Sequence, residues 1–194
     1  MTRLLLLSSS PRRRALLEGA GLTFDVRPVD VDEAPRPGES PATLAERLAR
    51  TKAAATPEPA AWGIAADTVV ALDGVPFGKP ASPEEAADML RRLRGRWHEV
   101  LTGVAVRRPD GQIVSAVDRT RVLLRTYDDE EIAAYVASGD PLDKAGAYAI
   151  QHVGFHPVAA IEGRYDTVVG LPVALVFDLL AIAGWPVNSA AGRQ

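Results

Sequence analysis

The chain of 194 residues contains no cysteine, which excludes disulfide bonds, thiolate catalysis and cysteine-based zinc sites. It also lacks any apolar stretch near the roughly 18 residues that a membrane-spanning helix needs. The apolar run at Leu4–Leu7 is shorter than the roughly 7–15 residues of a signal-peptide core. We therefore expect a soluble, cytoplasmic protein that has no membrane partner.

A positive net charge is absent as well, because the formal net charge is −3 and the sequence pI is about 5.7. Proteins that bind nucleic acid usually carry a basic field, so we expect no nucleic-acid partner. The sequence has no Gly-x-Ser-x-Gly elbow, dinucleotide fingerprint or His-Glu-x-x-His motif. The segment Gly74–Lys79 is one residue short of a P-loop and lacks Ser or Thr after the lysine, so it is not interpreted as one.

Apolar runs, caps and turn residues alternate along the chain in a way that predicts an α/β fold. Helices are predicted from about Pro11 to Ala20, from Pro41 to before Thr56, from Pro83 to before Gly95, from Asp128 to Ser138 and from Pro172 to Ala183. Strands are predicted over residues 22–29, 63–72, 75–77, 97–107, 113–124, 147–150 and 157–161. We expect one domain over residues 1–194, with a curved, mixed sheet flanked by helices, two lobes around a central cleft, and disorder from about residue 188.

Three arginines, Arg12–Arg14, follow three serines and Pro11 directly after the first apolar run. Ser10 is the predicted cap of a helix that begins at Pro11, so the arginines fall in the first helical turn. Cations there oppose the helix dipole by about 0.3–1 kcal/mol each. A bound anion would reverse that penalty, which indicates a phosphate site, although a solvated basic helix start is the alternative. Arg14 is predicted to lie on the solvated surface.

Asp67 lies inside a predicted buried strand, where an unpaired carboxylate is costly. It must meet a cation, a metal ion or a polar cleft, and a carboxylate paired within the core is the alternative. Thr68 alternates to the opposite face of an ideal strand, so it reaches the same ligand only if the strand ends or twists there.

Several further polar residues are candidates on weaker grounds. Glu33 is interpreted either as a second carboxylate for a divalent ion or as part of an acidic surface loop. Lys52 either extends towards a cleft from a helix or is exposed at the helix end, and Lys79 follows the predicted hairpin. An amide such as Gln151 can donate and accept hydrogen bonds at once, as the reading of a base edge requires. His98 is predicted to be a structural histidine.

Six stretches of the chain occur in the order that is typical of one family. They are Ser8–Arg13, Ala66–Val70, Gly78–Pro80, His98–Gly103, Asp143–Gln151 and Val168–Pro172. Through these motifs the sequence resembles the Maf family of nucleoside triphosphate pyrophosphatases over nearly its whole length. Leu7, where the family often has alanine, and Thr167, where it often has asparagine, depart from the family pattern.

The resemblance implies hydrolysis between the α and β phosphates of a nucleoside triphosphate, with a fold similar to that of the inosine triphosphate pyrophosphatases. It also implies a divalent metal cation, Mg²⁺ with Mn²⁺ as the alternative, held by Glu33 and Asp67. Asp67 matches the family's catalytic base. The phosphate-binding groups of the family match Ser8, Arg13, Lys52 and Lys79.

The resemblance further implies a choice of base, since one branch of the family acts on dTTP and UTP and another on 7-methyl-GTP. The first branch carries Arg, Thr and Gln at three specificity positions, which Arg12, Thr68 and Gln151 match; the second has an aromatic residue at the first position and Glu at the last. The donor and acceptor of a glutamine suit the imide of uracil or thymine. We therefore expect dTTP and UTP, with modified pyrimidine nucleotides as further substrates, in a house-cleaning role for the nucleotide pool.

Two alternatives stay open beside this interpretation. One is a pyrophosphatase of the 7-methyl-GTP type, and the other is a non-catalytic, nucleotide-binding regulator of cell division or septum formation. The expected partner is the small-molecule nucleotide, and similarity to the family implies a homodimer.

Overall fold

The computed structural model describes residues 3–152 and 154–186, and in this part of the chain seven strands form one sheet that helices flank. The strands are β1 (Leu4–Leu6), β2 (Asp25–Val26), β3 (Trp62–Leu72), β4 (Val75–Phe77), β5 (Trp97–Arg107), β6 (Ile113–Leu124) and β7 (Val158–Glu162). The helices are α1 (Pro11–Gly19), α2 (Pro41–Ala54), α3 (Pro83–Leu93), α4 (Asp129–Ala137), α5 (Tyr165–Val169) and α6 (Val173–Ala183). The disorder expected from about residue 188 lies outside the described residues.

The sheet is mixed, as predicted from the sequence. Its strand order is β2-β1-β3-β5-β6-β7, and β4 also pairs with β3. Strand β1 runs parallel to both β2 and β3, while every other pairing is antiparallel. The two-residue turn at Asp73 and Gly74 has positive φ angles of 52° and 77°, the backbone that a tight hairpin between β3 and β4 requires.

The unequal lengths of β1 and β3 position the site. Strand β1 pairs with β3 only along Trp62–Ile64, and β4 pairs only along Val70–Leu72. Among the described residues, no strand therefore borders this edge of β3 between residues 65 and 69. The amide of Leu7 donates to the carbonyl of Ile64 at 2.8 Å, and the serines and Pro11 then turn the chain into α1. The side chains of Asp67 and Thr68 emerge on opposite faces of β3 beside this open edge.

Helix α2 covers one face of the sheet with small residues. Ala45, Ala49 and Ala53 are fully buried on it, and their size permits a close approach to the strands. A Cβ atom added to Gly103 on β5 would lie 2.3 Å from the carbonyl oxygen of Ala45. The opposite face is covered by α1 and α6, which share a core cluster with β1, β3 and β5.

A separate core cluster lies at the other end of the long strands. Val70, Val100 and Val122 pack there against residues of α3 and α4, and Tyr148 and Phe155 complete the cluster. Helix α3 has Ser82 as its cap, whose hydroxyl accepts from the amide of Glu85. The Glu85 carboxylate accepts from the amide of Ala81 instead of the cap residue, so Ser82 and Glu85 form only half of a capping box.

Two predicted strands differ from the structure. Residues 147–150 are not a strand, because Ala147 has a φ angle of 59°, which an extended chain excludes; a 3-10 turn over Ala145–Ala147 overlaps the start of this stretch. Of the strand predicted over 22–29, only Asp25–Val26 pairs, because its partner β1 has three residues. Helix α5 was not predicted at all.

None of the helices in the described part of the chain is both long and apolar enough to span a membrane.

Candidate active site

One large cleft brings together every residue that the sequence singles out for the site. Its volume is about 1090 Å³, and it lies at the open edge of β3, between the β1–α1 loop, α2 and the segment of residues 140–152. The predicted site residues that line it are Ser8, Arg12, Arg13, Glu33, Lys52, Asp67, Thr68, Lys79 and Gln151. They come from six separate stretches of sequence, so the fold alone assembles them.

The loop between β1 and α1 is organised by its own hydroxyl groups. Ser10 caps α1, since its hydroxyl accepts from the amide of Arg13 at 3.4 Å. Ser8 is buried, and its hydroxyl accepts from the amide of Ser10 at 3.2 Å and from Nη1 of Arg13 at 3.3 Å. The loop and the first helical turn thus hold a guanidinium group against the cleft wall.

Arg13 is held by oxygen atoms that carry no formal charge. Its Nε donates to the carbonyl of Gly170 at 2.8 Å and its Nη2 to Oγ1 of Thr68 at 3.2 Å. Burial lowers the pKa of Arg13, and the negative charge of Asp67 acts against that change. Within residues 3–152 and 154–186, no carboxylate forms an ion pair with Arg13. Its charge is therefore available to an anion in the cleft.

Gly170 was not singled out by the sequence analysis as a site residue, although it belongs to a motif of the resemblance. Its φ angle is +117°, and a Cβ atom added there would lie 3.3 Å from Oγ1 of Thr68 and 3.5 Å from Nε of Arg13. Both the backbone angle and the close approach favour glycine. The carbonyl of Gly170 can reach Arg13 because no side chain intervenes.

Thr68 lies on the α1 side of β3 and links Arg13 to the sheet. Its Oγ1 is 3.0 Å from Oγ1 of Thr102 on β5, which in turn donates to the carbonyl of Thr167 at 2.8 Å. Thr102 is fully buried and was missed by the sequence analysis, since a threonine in a strand carries no distinct signal. The chain of hydroxyl groups fixes Thr68 beside the guanidinium group.

Asp67 and Glu33 share one ammonium group on the other side of the strand. Nζ of Lys52 lies 2.5 Å from Oδ1 of Asp67 and 2.6 Å from Oε1 of Glu33. Both Lys52 and Asp67 are 8% exposed, so Lys52 is buried and not an exposed residue at a helix end. Nζ of Lys79 lies 3.8 Å from Oε2 of Glu33. Burial by itself would raise the pKa of Glu33, but the hydrogen bond and charge of Lys52 outweigh it and lower the pKa.

The donor set fits a divalent cation that binds few protein ligands. In the described part of the chain no group of three or more His, Cys, Asp or Glu side chains converges on one point. Glu33 and Asp67 supply two carboxylates within reach of one ammonium group. Mg²⁺ typically takes one or two carboxylates and completes its shell with water and phosphate oxygens, so two carboxylates beside the cations that line the cleft match its chemistry.

The other two arginines of the cluster have different surroundings. Arg12 is half-buried and lines the cleft. Nε of Arg14 donates to Oε1 of Glu18 at 2.7 Å in an exposed pair on the helix surface, which confirms the prediction that Arg14 is solvated. Two of the three arginines are thus part of the cleft wall.

The far wall of the cleft is the segment of residues 140–152, which carries Gln151. Nζ of Lys144 donates to Oδ1 of Asp140 at 2.9 Å and to Oδ1 of Asp143 at 2.7 Å, so the charged residues of this turn satisfy one another. Nε2 of His98 is 2.7 Å from the hydroxyl of Tyr148, as expected of a structural histidine. Gln151 is exposed and lines the cleft.

Fold and cleft together define an α/β protein in which cationic groups and a pair of carboxylates face one cavity. The sequence pattern of the family described as "Maf-like protein" matches residues 3–183. The chain therefore belongs to the Maf family.

Curated relatives cover nearly the same length. The chain is 49% identical to the dTTP/UTP pyrophosphatase of Geobacter sulfurreducens, over 94% of this chain and 97% of that one. It is 51% identical to the dTTP/UTP pyrophosphatase of Hyphomonas neptunium, over 94% and 96%, and 49% identical to that of Thermomicrobium roseum, over 98% and 88%. Among solved structures it is similar to a nucleoside-triphosphatase (dITP/XTP pyrophosphatase) from Mycobacterium abscessus, with a TM-score of 0.43 and 17% identity over 94% and 96% of the two chains; that likeness is too distant to add to the fold described above.

Proposed function

We propose that this chain is a nucleoside triphosphate pyrophosphatase that hydrolyses dTTP and UTP to the monophosphate and pyrophosphate. The observation that carries the proposal is the pairing, in one cleft, of a guanidinium group whose partners among the described residues are neutral oxygens with a carboxylate pair bound by lysine. The names of relatives that are about half identical over nearly the full length support the same activity. Modified pyrimidine triphosphates are further candidate substrates, in a house-cleaning role.

The triphosphate is proposed to bind to Ser8, Arg13, Lys52 and Lys79. Arg13 offers a half-buried, planar donor group beside the loop amides, and the two lysines stand across the open edge of β3. Phosphoryl transfer needs positioning and charge stabilisation more than covalent chemistry. These cations would hold the β and γ phosphates and stabilise the charge that develops on the departing pyrophosphate.

Asp67 is the proposed catalytic base. It stands at the edge of the cleft, where its carboxylate can accept the proton of a water molecule that attacks the α phosphorus. The bond from that phosphorus to the bridging oxygen breaks, and pyrophosphate leaves with the electron pair. Lys52 holds the carboxylate in place by a hydrogen bond to its Oδ1.

Glu33 and Asp67 are the residues that would hold a divalent cation, Mg²⁺ or Mn²⁺. When bound, such an ion neutralises charge on phosphate oxygens.

Base selectivity is assigned to Arg12, Thr68 and Gln151, of which Gln151 can donate to and accept from a pyrimidine imide. The proposal also includes a cytoplasmic location and a homodimer. Light scattering of the purified protein would test the homodimer.

The proposal is tested by release of pyrophosphate from a panel of nucleoside triphosphates with Mg²⁺ present. We expect turnover of dTTP and UTP that exceeds turnover of GTP, CTP and 7-methyl-GTP. The Asp67→Asn protein, purified in the same way, reports any contaminating activity. Preference for 7-methyl-GTP would assign the chain to the other branch, and release from no nucleotide would favour a non-catalytic regulator.

A further inference from the structure

Residues 140–152, which carry Gln151, contain little regular structure. Two 3-10 turns, Asp140–Asp143 and Ala145–Ala147, are their only helical elements in the described part of the chain. A side chain on such a segment can discriminate between bases only if the backbone that carries it is held within a fraction of an ångström. The contacts that hold this backbone are therefore part of the selectivity device.

One buried hydroxyl group joins the two ends of the segment. Tyr135, on α4, donates from its hydroxyl to Oδ2 of Asp140 at 2.8 Å. The same hydroxyl accepts from the amide of Ala149 at 3.1 Å. Asp140 begins the segment, and Ala149 lies two residues before Gln151. Lys144 extends the network, since its ammonium group donates to the other oxygen of Asp140.

The ring of Tyr135 holds the residue on the other side of Gln151. It lies against His152 with ring centroids 4.6 Å apart and an interplanar angle of 62°, and it stacks on Phe155 at 4.3 Å and 17°. Nδ1 of His152 accepts from the amide of Phe155 at 2.9 Å. One tyrosine thus contacts the chain on both sides of Gln151, through the amide of Ala149 and the ring of His152.

Burial of Tyr135, with its hydrogen bond to Asp140, raises the pKa of the phenol far above its ordinary value. The hydroxyl therefore stays protonated and keeps its donor role over the physiological range. Tyr135 itself does not line the cleft, so any effect on the substrate must pass through the segment.

We propose that Tyr135 is a positioning residue for base selectivity, which acts by fixing Ala149 and His152 on either side of Gln151. The inference rests on the proposed function of Gln151. It adds to that function a residue outside the cleft, on a helix with no other part in the site.

The test measures binding, so that it does not depend on turnover. The probes are UTP and GTP analogues with a methylene group between the α and β phosphorus atoms, titrated by calorimetry into the full chain. Tyr135→Phe keeps the ring and removes both hydrogen bonds. We expect the affinity ratio of the UTP analogue to the GTP analogue to fall by about threefold to tenfold, as loss of one or two hydrogen bonds allows, while affinity for the GTP analogue stays unchanged.

Tyr127→Phe is the matched control. Tyr127 is also buried, packs on Phe155 with centroids 4.9 Å apart, and donates to the carbonyl of Leu90 at 2.8 Å. Tyr127→Phe loses a buried hydrogen bond in the same cluster, and that bond is made to α3 and not to the segment. We expect its melting temperature to fall as that of Tyr135→Phe does, and its affinity ratio to stay that of the unsubstituted protein.

A double-mutant cycle with Gln151→Ala separates positioning from stability. If Tyr135 acts through Gln151, the ratio in the double variant equals that in Gln151→Ala alone. An unchanged ratio in Tyr135→Phe, or an equal drop in both backgrounds, would overturn the proposal. If Gln151→Ala leaves the affinity ratio unchanged, the proposed roles of Tyr135 and Gln151 in base selectivity both fail. Failure of the proposed pyrophosphatase activity is a separate outcome, which only the pyrophosphate-release assay detects.

Discussion

At the scale of single residues, charge is distributed unevenly between the two faces of β3. On the α2 face, the carboxylates of Asp67 and Glu33 and the ammonium groups of Lys52 and Lys79 balance one another. On the α1 face, the partners of Arg13 within the described part of the chain are neutral oxygens. A triphosphate that spans the open edge would meet an uncompensated cation on one side and a neutralised, polar cluster on the other.

Asp67→Asn is expected to lower kcat by about 10²–10⁴-fold, because an amide cannot accept the proton of the attacking water. Affinity for a methylene-bridged UTP analogue should stay within a few-fold, since the phosphate-binding cations are unchanged. Stopped assays of pyrophosphate release measure kcat, and calorimetry measures the affinity for the analogue. Asp30→Asn, at an exposed carboxylate that lines the same cleft, is the control, and near-normal turnover by Asp67→Asn would refute the role as base.

Lys52→Met is expected to raise the affinity of the nucleotide-free protein for Mn²⁺ about tenfold. The substitution keeps the length of the side chain and removes the ammonium group that neutralises Asp67 and Glu33, so the carboxylates attract a divalent ion more strongly. Electron paramagnetic resonance of free Mn²⁺ gives the affinity. Adding Asp67→Asn should abolish the gain. Equal Mn²⁺ affinity with and without Lys52 would show that the ammonium group does not compete with the ion.

Gln151→Glu is expected to weaken hydrolysis of dTTP and UTP by about tenfold in kcat/KM, because a carboxylate accepts hydrogen bonds but cannot donate to a pyrimidine carbonyl. Turnover measured over a panel of bases reports the change. Gln112→Glu makes the same change of charge in an exposed hairpin and should have no effect. An unaltered profile in Gln151→Glu would rule out base reading by this residue.

Single residues differ in how far the sequence determines them. The cap at Ser10 and the pairing of Asp67 with a cation follow from local chemistry, and both are present. The burial of Lys52 could not be predicted, because it depends on which face of α2 meets the sheet. Likewise, the carbonyl that holds Arg13 belongs to Gly170, 157 positions further along the chain, and no local pattern connects the two.

At the scale of elements, the placement of α2 depends on the absence of a side chain at Gly103. Gly103→Ala is expected to destabilise the fold by about 1–3 kcal/mol or more, because its Cβ would lie 2.3 Å from a backbone oxygen of α2 and the helix would have to move. Urea denaturation gives the free energy of unfolding. Since α2 carries Lys52, turnover should fall together with stability.

The control for that substitution is Gly19→Ala, at the last position of α1. A Cβ atom added there meets nothing within 4 Å, and the backbone is helical. Alanine at such a position is neutral or stabilises by up to about 1 kcal/mol. A Gly103→Ala protein as stable as Gly19→Ala would contradict the close packing of α2 on β5.

Elements with strong local signals were predicted closely, and those set by tertiary contacts were not. Strands β5 and β6 have the predicted bounds, since their alternation is long and a Pro-Asp-Gly turn separates them. The stretch 147–150 has the composition of a strand, yet left-handed backbone at Ala147 turns it towards the cleft. The amide of Ala149 donates to Tyr135, 14 positions earlier, and the amide of Gly146 donates to the carbonyl of Gly78; no window of ten residues contains these contacts.

At the scale of the whole molecule, acid is expected to weaken the fold through His98, which is buried on β5 and contacts the hydroxyl of Tyr148. Burial lowers its pKa from 6.5 to about 4. Because the folded state binds the proton less readily than the unfolded state, stability is complete above pH 6.5 and falls as the pH drops towards 4. The loss from this group is roughly 3 kcal/mol over that window.

Urea denaturation at several pH values between 7 and 4 measures this dependence. His98→Leu should be less stable at pH 7, because the Tyr148 hydroxyl loses its partner, but should lose less stability on acidification. The difference between the two proteins isolates His98 from the carboxylates and from His152 and His156. Parallel curves for both proteins would exclude His98 as the source of acid sensitivity.

The shortness of β1 has a consequence for evolution and for engineering. If residues 8–10 continued the ladder along β3, the sheet would gain backbone hydrogen bonds and lose an exposed edge, yet the new strand would occupy the place proposed for the triphosphate. Selection for thermal stability and selection for turnover therefore oppose each other at these few positions. A library of variants screened by heat resistance alone should accumulate replacements at Ser8, Ser9 and Pro11. The selected variants should be thermostable proteins that no longer hydrolyse nucleotides.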